Sequence, residues 1–137
     1  SAGRVSDVAR GGYVLHEEQG ELEVIVIATG SEISLAAEAA EKLSAAGRGV
    51  RLVSMPCAEI YERQDVEYKE SVLPSHVLAR VAVEASHQDW WYKYVGLDGR
   101  VVGMSSFGES APGPVLMKEF GFTVENVIDA IEDVILS

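Results

Sequence analysis

The sequence predicts an α/β fold, a three-layer α/β/α domain with a mixed, mostly parallel five-stranded sheet that carries one antiparallel edge strand. The apolar run Val24–Ala28 is continuous rather than alternating, which is typical of a strand covered on both faces in a parallel sheet. A glycine turn at residues 29–31 follows, and apolar residues then recur at helical spacing as far as Leu43. With the next apolar run, Val50–Ser54, this predicts a right-handed βαβ unit.

Turn residues and helix-capping residues mark the bounds of the first predicted elements. Residues 13–17 predict a strand, and the turn at residues 18–20 leaves only a short connection to Val24–Ala28, so we expect these two strands to form an antiparallel pair. Ser31 is the predicted N-cap of the first helix, and Glu32 suits the positive end of the helix dipole. Gly47 is expected to end that helix.

The rest of the chain alternates predicted helices and strands. The helical patterns cover residues 57–63, 65–72, 88–95 and 114–120, and the strands cover residues 50–54, 78–83 and 101–104. A final helix is expected after Thr123, whose hydroxyl can accept a hydrogen bond from the amide of Asn126. Its predicted apolar stripe consists of Val124, Val127, Ile128, Ile131, Val134 and Ile135.

Length and composition limit the class of protein. A chain of 137 residues predicts one domain, which we expect to cover residues 11–137 after a linker or N-terminal arm at residues 1–10. The net charge of −11, with basic residues spread along the chain, argues against nucleic acid or an anionic membrane as partner. The single cysteine and the lack of a membrane-length apolar run or a signal-peptide pattern predict a cytoplasmic protein.

The turn formed by Thr29, Gly30 and Ser31 is the first candidate site. A strand that leads through glycine into a helix leaves amide groups that can hold an anion, and such turns line the crevice of open α/β sheets. Neither a dinucleotide-binding glycine pattern nor a phosphate-binding loop is present. The pattern therefore fits either an anion or nucleotide site or a simple capped turn.

Other chemically capable residues lack partners in the sequence pattern. His87 lies near Glu84 and Asp89, but no nucleophile accompanies it at a useful spacing. Cys57 is alone and is interpreted as a small packed side chain rather than a nucleophile. The three histidines and one cysteine do not have the spacing of metal ligands.

Two segments could serve as contact surfaces. The dense aromatic segment with Trp90, Trp91 and Tyr94 fits either a core or a subunit or domain interface. The loop at residues 105–112 has the composition of a binding loop or a docking surface, and within it Glu109 has no visible partner acid or metal set.

Taken in order, short motifs along nearly the whole chain resemble the C-terminal domain of transketolase. The set is specific, although single members such as IATGSE are weak. The matching motifs are ARGGYVL (9–15), IATGSE (27–32), VSMP (53–56), YKESVLP (68–74), VEA (83–85), WYKYVG (91–96), FGESAP (107–112) and EFGFT (119–123).

The resemblance implies a parent enzyme that moves two-carbon ketol units between sugar phosphates, using thiamine diphosphate and a divalent metal, usually magnesium. The family's diphosphate–metal motif and its thiamine-activating glutamate belong to other domains, and this sequence contains no match to them. We therefore expect no catalytic, cofactor-binding or metal-binding residue here, and the resemblance gives Glu109 no catalytic role.

The resemblance also implies that this chain is a fragment of a longer enzyme. We expect a structural and dimer-supporting module that is inactive alone and whose partners are the remaining transketolase domains and a second subunit. The alternative hypothesis is a regulatory module that binds a nucleotide or phosphate at the helix start over residues 29–32.

Overall fold

A five-stranded sheet with helices on both faces organises the chain in a computed structural model, which describes residues 9–30, 32–84, 94–95, 99–103 and 123–136. The strands are β1 (Tyr13–His16), β2 (Val24–Ala28), β3 (Val50–Ser54), β4 (Arg80–Glu84) and β5 (Arg100–Gly103). The helices are α1 (Glu32–Ala45), α2 (Ala58–Glu62), α3 (Val66–Val72) and α4 (Val124–Leu136). The strand order is β1-β3-β2-β4-β5, so the predicted fold class is confirmed.

Strand β2 is the centre of the sheet. It pairs in parallel with β3 on one side and with β4 on the other, and β5 extends the parallel sheet beyond β4. All five β2 residues have zero exposed surface. The continuous apolar run therefore became a strand buried on both faces, as the sequence predicts. Burying each valine or isoleucine side chain contributes roughly 1.5–3 kcal/mol.

Strand β1 is the antiparallel edge strand, but its neighbour differs from the prediction. It pairs with β3, with Tyr13 opposite Ser54, and not with β2. The expected hairpin is wrong because parallel strands already occupy both sides of β2. The connecting loop instead crosses the start of β3 at Gly49, whose carbonyl accepts from the amide of Glu23 at 2.8 Å. A Cβ at Gly49 would collide with the carbonyl of Glu21, so the crossing needs glycine.

Two hydrophobic clusters separate the layers. On one face of the sheet, α1 and α4 pack against the first cluster, and on the other face α2 and α3 contribute to the second. The first cluster includes Val24, Val26, Leu52, Ala36, Leu43, Val127 and Ile131. The second includes Ile25, Ile27, Val53, Met55, Tyr61 and Val72. Helices therefore cover both faces, which completes the three-layer arrangement.

The helix ends confirm two predictions. Gly47 follows α1 with φ +93°, and the amide of Arg48 returns to the carbonyl of Leu43 at 3.0 Å. The hydroxyl of Thr123 accepts from the amide of Asn126 at 3.1 Å at the start of α4. Ser31, the predicted cap of α1, lies outside the described residues.

Some predicted bounds change, and some predicted elements cannot be compared. Strand β4 begins at Arg80, later than the expected residue 78, and Leu78 is 61% exposed. The predicted helix at residues 114–120 lies outside the described residues, as does most of the predicted helix at residues 88–95. Within the described part of the chain, no helix is long and apolar enough to cross a membrane.

Candidate functional site

The carboxyl edge of the parallel strands is where the fold places its first candidate site. In the strand register, Ala28 at the end of β2 lies opposite Ser54 of β3 and Val83 of β4. The connections out of β2 and β3 lead to opposite sides of β2, so the strand order reverses there. Ligands of open α/β sheets bind in the crevice at such a point. Thr29 and Gly30 therefore lie at the expected position for a binding turn.

The local geometry of this turn is that of a capped helix start. Gly30 has φ +58°, a conformation that favours glycine. The amide of Glu32 donates to the carbonyl of Thr29 at 3.2 Å, and the amide of Ile33 donates to the carbonyl of Gly30 at 3.3 Å. An anion would have to compete with these carbonyls for both amides.

Glu32 adds a charge argument. Its side chain belongs to the first turn of α1 and is 5% exposed, although it is a carboxylate. A negative group at a helix N-terminus is stabilised by the helix dipole, and it repels a second anion. The geometry does not favour an anion site here. A role for Thr29 and Gly30 stays a prediction, and Ser31 lies outside the described residues.

The other polar candidates have structural surroundings where they are described. Cys57 is partly exposed, and its amide donates to the carbonyl of Gly11 at 2.9 Å. His16 Nε2 lies 3.3 Å from Ser44 Oγ. His87 and Glu109 lie outside the described residues. Among the residues that the structure does describe, no group of three or more His, Cys, Asp or Glu side chains is placed to hold a metal ion.

A cluster of three tyrosines between α2, α3 and residue 94 is a feature that sequence reasoning missed. The ring of Tyr61 lies 6.4 Å from that of Tyr68 and 6.4 Å from that of Tyr94, edge to face in both cases. The Tyr94 hydroxyl donates to Glu62 at 2.7 Å. Burial raises the pKa of Tyr61 and of Tyr94 above the ordinary value of 10.0, so both hydroxyls remain donors in moderately alkaline solution as well as at neutral pH.

This cluster bears on the predicted interface. Tyr94 is 5% exposed and belongs to the second hydrophobic cluster, so within this chain it is a core residue. Trp90 and Trp91 lie outside the described residues. An interface role for the aromatic segment therefore stays a prediction. No local pattern signals the tyrosine cluster, because Tyr94 is distant in sequence from the other two.

A surface cavity of about 320 Å³ lies beside the tyrosines, with Glu70 and Arg80 in its wall. Arg80 donates from Nη1 to the carbonyl of Tyr94 at 2.7 Å and from Nη2 to that of Pro74 at 2.9 Å. Glu70 accepts from the amide and the hydroxyl of Ser75 at 2.9 and 3.1 Å. Glu70 and Arg80 thus bond to the chain itself and hold the wall of the cavity in place.

Comparison with known proteins gives a consistent family. The model of the transketolase-like TK C-terminal domain matches residues 11–123. Transketolase 2 of Vibrio parahaemolyticus is 54% identical over 135 residues, which are 98% of this chain and 20% of that protein. Transketolase 2 of Escherichia coli K12 is 57% identical over 125 residues, which are 91% of this chain and 19% of that protein.

Solved structures agree with the sequence relatives. The transketolase from Leishmania mexicana superimposes with a TM-score of 0.84 at 40% identity, covering 96% of this chain and 19% of that one. The chain thus spans about a fifth of the length of the transketolases that it matches. Because the family match covers most of the sequence and the fold agrees with it, this chain belongs to the transketolase-like TK C-terminal domain family.

Proposed function

We propose that this chain is the C-terminal domain of a working transketolase, which transfers two-carbon ketol units between sugar phosphates with thiamine diphosphate and Mg²⁺. In this proposal the domain is a structural and dimer-supporting module that contributes no catalytic residue. The observation that carries it is the match of the family model over residues 11–123, together with identities above 50% to full-length transketolases.

The described residues do not fit a thiamine diphosphate site. A bound diphosphate needs free amides or cations, whereas the first amides of α1 bond to Thr29 and Gly30 and the Glu32 carboxylate is buried beside them. A magnesium ion needs several oxygen ligands, and the described part of the chain groups no three acidic or histidine side chains for one. We therefore assign the cofactor and its metal to the other domains of the enzyme.

The remaining parts of the proposal concern assembly and location. Residues 11–137 would act as one domain, joined through residues 1–10 to the rest of the enzyme. The partners would be those other domains and a second, identical subunit, with neither nucleic acid nor a membrane involved. The net charge of −11 and the dispersed basic residues support this choice of partners. The location would be the cytoplasm.

Comparing the full-length protein with a version that lacks this domain tests the proposal. The full-length protein should transfer ketol units from a ketose phosphate to an aldose phosphate in the presence of thiamine diphosphate and Mg²⁺, and it should sediment as a dimer. The shortened protein should bind thiamine diphosphate yet dimerise more weakly and turn over more slowly. A full-length protein without ketol transfer would contradict the proposed function, and an unchanged dimer would contradict the supporting role.

A further inference from the structure

Three consecutive residues at the entrance to the domain are held by α2 and α3. The guanidinium carbon of Arg10 lies 4.5 Å from the centroid of the Tyr68 ring. The carbonyl of Gly11 accepts from the amide of Cys57 at 2.9 Å, and the carbonyl of Gly12 accepts from the Tyr68 hydroxyl at 2.6 Å. Each of the three residues therefore has its own contact with this pair of helices or their border.

The closeness of this approach requires glycine at position 11, and at Gly12 an added side chain would press on Met55 and Tyr61. Gly11 has φ +85°, and a Cβ there would collide with the carbonyl of Cys57 and lie 2.5 Å from the amide nitrogen of Tyr61. A Cβ at Gly12 would lie 2.6 Å from Met55 Sδ. Both glycines are buried. The backbone of this segment thus lies directly on α2, with no room for a side chain between them.

Tyr68, which holds this segment, is itself fixed in place. Its amide donates to the carboxylate of Asp65 at 2.8 Å, which caps α3, and its ring meets the edge of Tyr61. Tyr61 is 3% exposed and belongs to the core. The contact at Gly12 therefore connects the entering chain to the hydrophobic cluster under β2 and β3.

We propose that Arg10, Gly11 and Gly12 form a rigid joint, which fixes the direction in which the polypeptide enters this domain from the rest of the enzyme. Without these contacts the three residues could leave the surface of the domain, whereas the joint holds their path against α2 and α3. The inference rests on the proposed function, since it assumes that the preceding polypeptide is the remainder of a transketolase. Tyr68 is the positioning residue of the joint.

Tryptic cleavage of the chain after Arg10 reports the state of the joint. Trypsin can cut the Arg10–Gly11 bond only when the segment leaves the surface, so the rate follows the population of that open state. The variant Tyr68→Phe keeps the ring and loses the bond to Gly12. Loss of one such hydrogen bond should speed this cleavage by roughly fivefold.

Tyr61→Phe is the matched control. It also loses one tyrosine hydroxyl bond, here to the carbonyl of Lys69 at 3.0 Å, but that bond does not touch the joint. The free energy of unfolding of each variant is measured first. The cleavage rates are then corrected for any difference in global stability between the two variants. The joint would be overturned if trypsin cut Tyr68→Phe and Tyr61→Phe equally fast. It would also be overturned if trypsin cut the unmodified chain as fast as a free peptide.

Hydrogen exchange in the full-length protein separates this inference from the proposed function. In Tyr68→Phe the amide of Cys57 should exchange several times faster than in Tyr61→Phe, whether or not the protein transfers ketol units. Faster exchange without ketol transfer would leave the joint standing and remove the proposed function. Ketol transfer with unchanged exchange at Cys57 would support the proposed function and remove the joint.

Discussion

At the scale of single residues, Arg51 is the charged residue of β3. Its Nε and Nη2 donate to the two carboxylate oxygens of Glu18 at 2.8 and 2.9 Å, and its Nη1 donates to the carbonyls of Ser71 and Val72 at 3.0 and 3.1 Å. The two charged side chains are only 14% and 18% exposed. This arginine therefore ties the loop after β1 and the end of α3 to the sheet.

Replacing Glu18 with glutamine should destabilise the chain in a pH-dependent way. The hydrogen bonds from Arg51 hold the pKa of Glu18 below its ordinary value of 4.5. A depressed folded-state pKa stabilises the protein above the unfolded value, and that stabilisation is lost as the pH falls through the folded value. At neutral pH we expect Glu18→Gln to cost about 1–2 kcal/mol. Urea unfolding at several pH values should show the difference shrinking below pH 4.5.

The exposed pair Glu38–Lys42 is the control for this prediction. Its two side chains are 56% and 53% exposed, so Glu38→Gln should change stability by less than about 0.5 kcal/mol. An effect of Glu18→Gln that is as small as this, or one that persists unchanged at pH 3, would show that the ion pair does not stabilise the fold.

Single-residue predictions succeeded where the cause is local. The Thr123 cap and the Gly47 helix end each depend on a few neighbouring positions, and both are found. The hydrogen bond between Arg51 and Glu18 joins positions that are 33 apart in the sequence, so no local pattern predicts it. The sequence around Glu18 predicts only a turn. The burial of Glu32 was not predicted either, because it depends on how neighbouring elements cover the helix start.

At the scale of elements, α4 shows how a sequence pattern becomes packing. Of its predicted apolar stripe, Val127, Ile131 and Val134 are buried against α1 and the sheet, and acidic residues such as Glu125 and Asp129 are exposed. The spacing of the stripe was sufficient to predict the helix and its buried face. Which face of the sheet this helix covers could not be predicted without the order of the strands.

The cap of α4 gives a prediction at this scale. Thr123→Ala removes the hydroxyl that accepts from the amide of Asn126, and it should destabilise the chain by about 1 kcal/mol. Thr123→Ser keeps an acceptor oxygen and should recover most of that loss. Thermal unfolding of the three proteins checks this. Equal midpoints for the alanine and serine variants would mean that the cap contributes nothing.

The pairing of β1 shows where element-level reasoning fails. A short connection favours a hairpin, and the strand direction was predicted correctly on that basis. The partner was not, because the choice between β2 and β3 depends on which strand still has a free side. Gly49, where the loop crosses β3, was the local signal, but a lone glycine before a strand does not identify such a crossing.

At the scale of the whole molecule, the fold is a sheet centred on β2 with two helices described on each face. The apolar runs and the helical spacing were enough to predict this class. The candidate site was predicted in position only. Thr29 and Gly30 lie at the carboxyl edge as the general rule requires, but the amides of the helix start are bonded within the turn. In our account, the domain supports catalysis that other domains perform.

The most direct test of this central claim is a ketol-transfer assay of the isolated 137-residue chain. The chain is first shown to be folded by circular dichroism and cooperative unfolding, and it is then supplied with thiamine diphosphate, Mg²⁺, a ketose phosphate donor and an aldose phosphate acceptor. We expect no turnover above that of the cofactor alone, while the full-length protein is active under the same conditions. Turnover by the isolated chain that depends on thiamine diphosphate would contradict this claim.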